Sequence, residues 1–157
     1  MTRALATAGV PADRLVLELS EATMHDDTDQ TQAIMYELHG RGVHLAIDDF
    51  GTGYSALASL HRLPVERIKV HRGFVAELGV DGGANDLVRA MVQLGRSLNL
   101  EVVAEGVETE RQKAVVDGMG CTHAQGYLFA RPCSEASLTS WLASLSADGP
   151  RSSAPTT

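Results

Sequence analysis

The stretch His44–Leu57, HLAIDDFGTGYSAL, decides how the rest of the chain is read. An apolar run, Leu45-Ala46-Ile47, ends in two adjacent aspartates, Asp48 and Asp49, and a glycine-rich segment, Phe50-Gly51-Thr52-Gly53-Tyr54, follows at once. Gly51, Gly53 and Ala56 spell G-x-G-x-x-A, which between a strand and a helix is a fingerprint for dinucleotide binding. The aspartates oppose that reading, because a pyrophosphate loop presents helix N-terminal amides with no anion beside them. The fingerprint also wants an acid about 20 residues later, at the tip of the next strand. Ile68-Lys69-Val70-His71 stands there instead.

Neighbouring residues of a strand point to opposite faces. Asp48 and Asp49 can serve one site only if the pleat breaks between or just after them, and Phe50-Gly51-Thr52-Gly53 supplies such a break. Two adjacent carboxylates can then hold two divalent cations about 3.5–4 Å apart, an arrangement used in phosphoester chemistry. Magnesium or manganese is expected, since oxygen donors suit hard cations and no Cys/His cluster accompanies them. The glycines are read as a mobile lid loop over the site, Phe50 to Tyr54.

Working outward, four more apolar runs read as strands: LVLELSE from Leu15, ERIKVHRGF from Glu66, LEVVAEG from Leu100 and THAQGYLF from Thr122. Helical patterns lie between them. A short one at the start stops near Gly9 and Pro11. Another, about Asp27 to Arg41, carries Ile34, Met35 and Leu38. Tyr54, Leu57 and Leu60 repeat at helical spacing before Pro64. Asn85 is read as the cap of a helix striped by Leu87, Met91, Leu94 and Leu98. A helix over Glu110 to Asp117 follows, and a last one is expected to bury Leu138, Trp141, Leu142 and Leu145. Alternating strands and helices predict an α/β fold with a parallel sheet. Glu18, Asp48, Asp49, Lys69, Glu105 and Gln125 all fall near the carboxyl ends of their strands, which in parallel α/β folds form one rim where ligands bind. Buried carboxylates gathered there need a shared cation.

Composition narrows the partners. The chain has 157 residues, 44% hydrophobic and 21% charged, as expected of one globular domain over residues 1–145 with a disordered tail, 146–157. Aromatic residues are 4%, and 13 basic against 20 acidic residues give a net charge of −7. These values argue against a DNA or RNA polymer and against an anionic membrane surface. No apolar run reaches the roughly 18–20 residues of a membrane span, and the start makes a poor signal peptide, so a cytoplasmic location is expected. Cys121 and Cys133 lack metal-ligand spacing and are read as buried free thiols.

The segments LELSEATM, AIDDFGTGYSAL, LHRLPVERIKV, VVAEGVETERQ and GCTHAQGYLFARP together resemble the EAL domain family of bacterial cyclic di-GMP phosphodiesterases, from about Leu15 to Pro132. The resemblance implies a TIM-type (β/α) barrel, present as about its last five βα units and lacking the first strands; complete barrels usually take about 250 residues. It implies two-metal hydrolysis of cyclic di-GMP to pGpG with Mg2+ or Mn2+. Glu18 resembles a first-metal ligand, Asp48 the bridging carboxylate, and Asp49 and Glu105 ligands of the second metal. Lys69 is similar to the lysine that holds the attacking water and the phosphate. Glu21 matches the glutamate bracing the loop, while Glu108 and Gln125 match supporting positions. A homodimer through the helix after the loop, about Tyr54 to Leu63, is also implied.

Two departures stand out. The sequence contains no Glu-Ala-Leu, and no N-x-S segment that would complete the first metal site precedes Leu15. The metal centre is thus expected to be incomplete and hydrolysis by this chain weak or absent. The alternative is a degenerate module that binds cyclic di-GMP or a protein partner without turnover; a third reading is a fragment with no function of its own. The second departure is His71, where the family pattern K-I-D has aspartate. It is read as a tolerated polar residue on the rim.

Overall fold

The computed structural model describes residues 2–21, 29–53, 60–79 and 83–148, with side chains to residue 143. Five strands, β1 (Val16–Ser20), β2 (His44–Phe50), β3 (Arg67–Val70), β4 (Glu101–Glu105) and β5 (His123–Gln125), form one sheet in the order β1-β2-β3-β4-β5. All four neighbouring pairs are parallel. A doubly wound sheet reverses its strand order at a switch point, where dinucleotides bind. Here spatial order follows chain order throughout, as in the wall of a (β/α) barrel.

The helices are α1 (Thr2–Ala8), α2 (Asp29–Gly40), α3 (Arg72–Ala76), α4 (Ala84–Ser97), α5 (Glu110–Met119) and α6 (Glu135–Asp148). Parallel strands covered on both faces read as continuous apolar runs rather than alternating ones. Leu45, Ala46 and Ile47 of β2 and Val102, Val103 and Ala104 of β4 are accordingly all buried. Of these, Leu45, Ile47, Val102 and Ala104 make one core with Ile68, Val70, Val75, Val88, Val92, Val107 and Val116. α5 is delimited by its own chemistry. Thr109 and Gln112 form a capping box at its start, and Gly120 ends it in left-handed conformation at φ +85°.

Several sequence expectations are corrected. The third strand stops at Val70, and His71-Arg72-Gly73-Phe74 instead starts α3, because His71 caps that helix through its side chain. The fifth strand ends at Gln125; Val107 then fastens the chain by donating to Gln125 O and accepting from the Leu128 N–H. α4 is capped at Gly83, not Asn85, whose Oδ1 accepts instead from Gly79 N–H at 3.2 Å. Its buried face is Ala84, Val88, Met91, Val92 and Gly95, while Leu87 is 43% exposed. Close approach decides this face: a Cβ on Gly95 would lie 2.4 Å from Val102 Cγ2.

The last helix does not bury its leucines among the described residues. Leu138 and Leu142 are 42% and 50% exposed, and Trp141 is half-buried. Apolar spacing fixes which residues share a face, but burial needs an opposing surface. The Leu145 side chain lies outside the described residues. Cys121 is half-buried, but Cys133 is exposed in the loop before α6. Residues 54–59, most of the helix proposed for dimerisation, lie outside the described residues, as does most of the tail.

Candidate metal centre

The site is assembled around Lys69. Its strand is enclosed on both sides, so the side chain is only 7% exposed, and a buried ammonium is costly unless it is paired. Its Nζ lies 2.8 Å from Glu18 Oε2 of β1, 2.8 Å from Asp48 Oδ1 of β2 and 2.7 Å from Glu105 Oε1 of β4. Burial alone pushes the lysine pKa down. Hydrogen bonds to Asp48, Glu105 and Glu18 outweigh it and hold the ammonium above the ordinary lysine value of 10.5. Lys69 is therefore a fixed positive charge at neutral pH.

Asp48 and Asp49 reach the same side because the backbone turns between them. The β2–β3 register shifts between Ile47 and Phe50, and Asp49 has φ +54°. Aspartate is among the few residues that enter this left-handed region. Thr52 closes the turn, its N–H and hydroxyl both donating to Asp49 O, the hydroxyl at 2.9 Å. Phe50, expected in the mobile loop, is the last residue of β2 and is buried at 4% exposure. Tyr54 lies outside the described residues.

Asp48, Asp49 and Glu105 each offer an oxygen within 4.8 Å of the others. With Glu18 they are four carboxylates around one ammonium, a negative surplus that invites a cation. The donors are all oxygen, which fits a hard divalent ion such as Mg2+ or Mn2+. Glu18 stands outside the three-residue group: it meets Lys69 and is 48% exposed. Among the described residues, Asp48, Asp49 and Glu105 are the group whose oxygens lie close enough to share a cation.

The supporting residues have specific contacts. Glu21 is 5% exposed, and its Oε2 accepts from the Gly51 and Gly53 N–H groups, each at 3.0 Å. A Cβ on Gly53 would lie 2.9 Å from Glu21 Oε1, so a side chain there would push on the carboxylate that holds the turn. Gln125 Nε2 donates at 3.3 Å to Glu105 Oε1, the oxygen that also meets Lys69. Glu108 has its backbone N–H bound by Gln112 Oε1, and its side chain lines an open cleft of about 230 Å³ beside the carboxylates. Asp49, Glu105, Gln125, Arg72 and Tyr127 line the same cleft.

Arg72 and Tyr127 were missed from the sequence. Arg72 opens α3 immediately after the rim, and Tyr127 follows Gln125 by two residues with the Arg131 guanidinium 4.6 Å over its ring. Position just beyond a strand's carboxyl end was the signal available for both.

Comparison with known proteins gives concordant matches. A family model described as EAL domain matches residues 1–132. Over 129 residues the chain is 46% identical to the bifunctional diguanylate cyclase/cyclic di-GMP phosphodiesterase MucR of Pseudomonas aeruginosa, covering 82% of this chain and 19% of that protein. A solved structure described as PaMucR phosphodiesterase, c-di-GMP complex, matches with a TM-score of 0.82 and 44% identity, covering 87% of this chain and 56% of that one. BlrP1 of Klebsiella pneumoniae in a manganese/cyclic di-GMP complex matches with a TM-score of 0.77 and 36% identity, over 83% of this chain and 33% of that one. The chain thus spans about a fifth of the MucR relative and just over half of its solved phosphodiesterase portion.

Proposed function

The chain belongs to the EAL domain family, and on that premise we propose that it is a cyclic di-GMP phosphodiesterase-type domain that engages its ligand through the Lys69 rim and turns it over slowly or not at all. The observation that carries this reading is the convergence of Glu18, Asp48 and Glu105 from three strands on one buried ammonium, with Asp49 beside them.

In this reading Asp48, Asp49 and Glu105 hold a magnesium or manganese ion. When bound, the ion supplies Lewis-acid stabilisation of phosphoryl charge and an acidified water. Lys69 offers a permanent positive charge beside the phosphate and the attacking water. Gln125 orients Glu105, and Glu21 fixes the Gly51–Gly53 turn so that Asp49 stays on the rim. Glu108 faces the cleft where the rest of the dinucleotide would lie. The reaction of the family reading is in-line attack of water at one phosphodiester, giving linear pGpG.

One observation favours binding over efficient turnover: among the described residues, one group of three carboxylates lies close enough to share a cation, where the two-metal reading asks for two. The test mixes the purified 157-residue chain with cyclic di-GMP and Mn2+. Calorimetry is expected to detect binding, and chromatography little or no pGpG. Fast turnover that Asp48→Asn abolishes would overturn the slow-turnover part. Failure to bind either Mn2+ or cyclic di-GMP would overturn the reading itself.

A further inference from the structure

His71 stands one residue beyond β3, at the N-cap of α3, and both of its ring nitrogens face defined partners. Nδ1 accepts from Gly73 N–H at 3.1 Å, so its lone pair is committed to the helix cap. A neutral imidazole accepting at Nδ1 carries its hydrogen on Nε2. Nε2 lies 3.8 Å from Asp49 Oδ1, and the ring packs edge-on to Phe74, centroids 6.3 Å apart. That separation is longer than a hydrogen bond and short enough for a direct electrostatic contact. Among the described residues, His71 is the basic group that comes within 4.0 Å of the Asp49 carboxylate. Asp49 needs such a partner more than its neighbours do. Asp48 and Glu105 are gripped by Lys69, whereas Asp49 is 52% exposed on a left-handed turn.

We propose that His71 is a positioning residue for Asp49: its Nε2–H steers the Asp49 carboxylate toward Asp48 and Glu105, while Nδ1 is held by the helix and is not a metal ligand. The inference rests on the reading of those three carboxylates as a divalent-cation site.

Substitution separates the two ends of the ring. In His71→Asn the side-chain oxygen can replace Nδ1 as the helix cap, but no donor reaches the Nε2 position. In His71→Gln the amide reaches toward the Nε2 position and the cap is lost. Mn2+ affinity is measured by titration on the full chain, and the thermal midpoint without metal. His71→Asn is expected to melt near the parent and to bind Mn2+ about tenfold more weakly, as loss of a residue orienting a metal ligand does. His71→Gln is expected to melt lower yet recover most of the Mn2+ affinity. A His71→Asn chain binding as tightly as the parent, or two variants weakened alike, would overturn the positioning role. A parent chain taking up no Mn2+ would instead overturn the cation-site reading beneath it.

Discussion

Lys69 and its three carboxylate partners make the strongest prediction at the scale of single residues. Replacing it by methionine leaves Glu18, Asp48 and Glu105 facing one another with no counter-charge. Removing one partner of a buried ion pair costs about 3–5 kcal/mol. Here the lower end is expected, because Glu18 is half exposed. Urea unfolding of Lys69→Met measures it. Because the ammonium's pKa is raised on folding, its contribution is complete below pH 10.5 and is lost only as pH rises through the folded value. The Lys69→Met deficit should therefore be flat across neutral pH. The cysteines give a second expectation. Burial, and then Asp117, push the Cys121 thiol up to about 11, while Cys133 is exposed. Brief alkylation at pH 8 followed by mass spectrometry should label Cys133 first, since thiolate and access control the rate. The charged rim residues were legible in the sequence because each stands near the end of an apolar run. Which of them pair was not legible, since register between strands distant in the chain decides it.

At the scale of elements, the turn after β2 combines backbone handedness with a buried acceptor. An L-residue with a side chain pays about 1–2 kcal/mol in the left-handed region, and glycine pays nothing. Asp49→Gly should thus keep the thermal midpoint near that of the parent while removing a carboxylate, whereas Asp49→Val should lower it; calorimetric melts decide. Glu21→Ala strands the Gly51 and Gly53 N–H groups. Hydrogen bonds to charged acceptors are worth about 1.5–3 kcal/mol each, so a loss of about 3 kcal/mol and faster amide exchange across Gly51–Gly53 are expected. The sequence DDFGTG required a break in the pleat, and the register shift with Asp49 at φ +54° is where it falls. Other elements misled. Leucine spacing pointed to Leu87 in α4, but the contact at Gly95 set the buried face. His71 resembled a strand residue because its capping bond is invisible in an apolar pattern.

For the whole molecule, chain order and spatial order coincide, so a reading of successive βα units carried directly into the sheet. The rim was legible for the same reason: parallel strands place all their carboxyl ends on one side. The exposure of Leu138 and Leu142 was not, because periodicity says nothing of what covers a face. A cation held by Asp48, Asp49 and Glu105 binds only the folded chain, so it stabilises by mass action. At a free concentration 100 times Kd the gain is about 2.7 kcal/mol. Mn2+ added to chelator-treated protein should raise the thermal midpoint, and Asp48→Asn should abolish the rise.

The parallel sheet also fixes when the centre can come into being. The groups bonded to Lys69 arrive from β1, β2 and β4, and neighbouring parallel strands must each await a crossover before they can meet. No local hairpin or isolated helix can prefigure the cluster. A probe of the ammonium's environment during refolding would therefore stay silent through early collapse and respond only in the final cooperative phase, when the last of these strands docks.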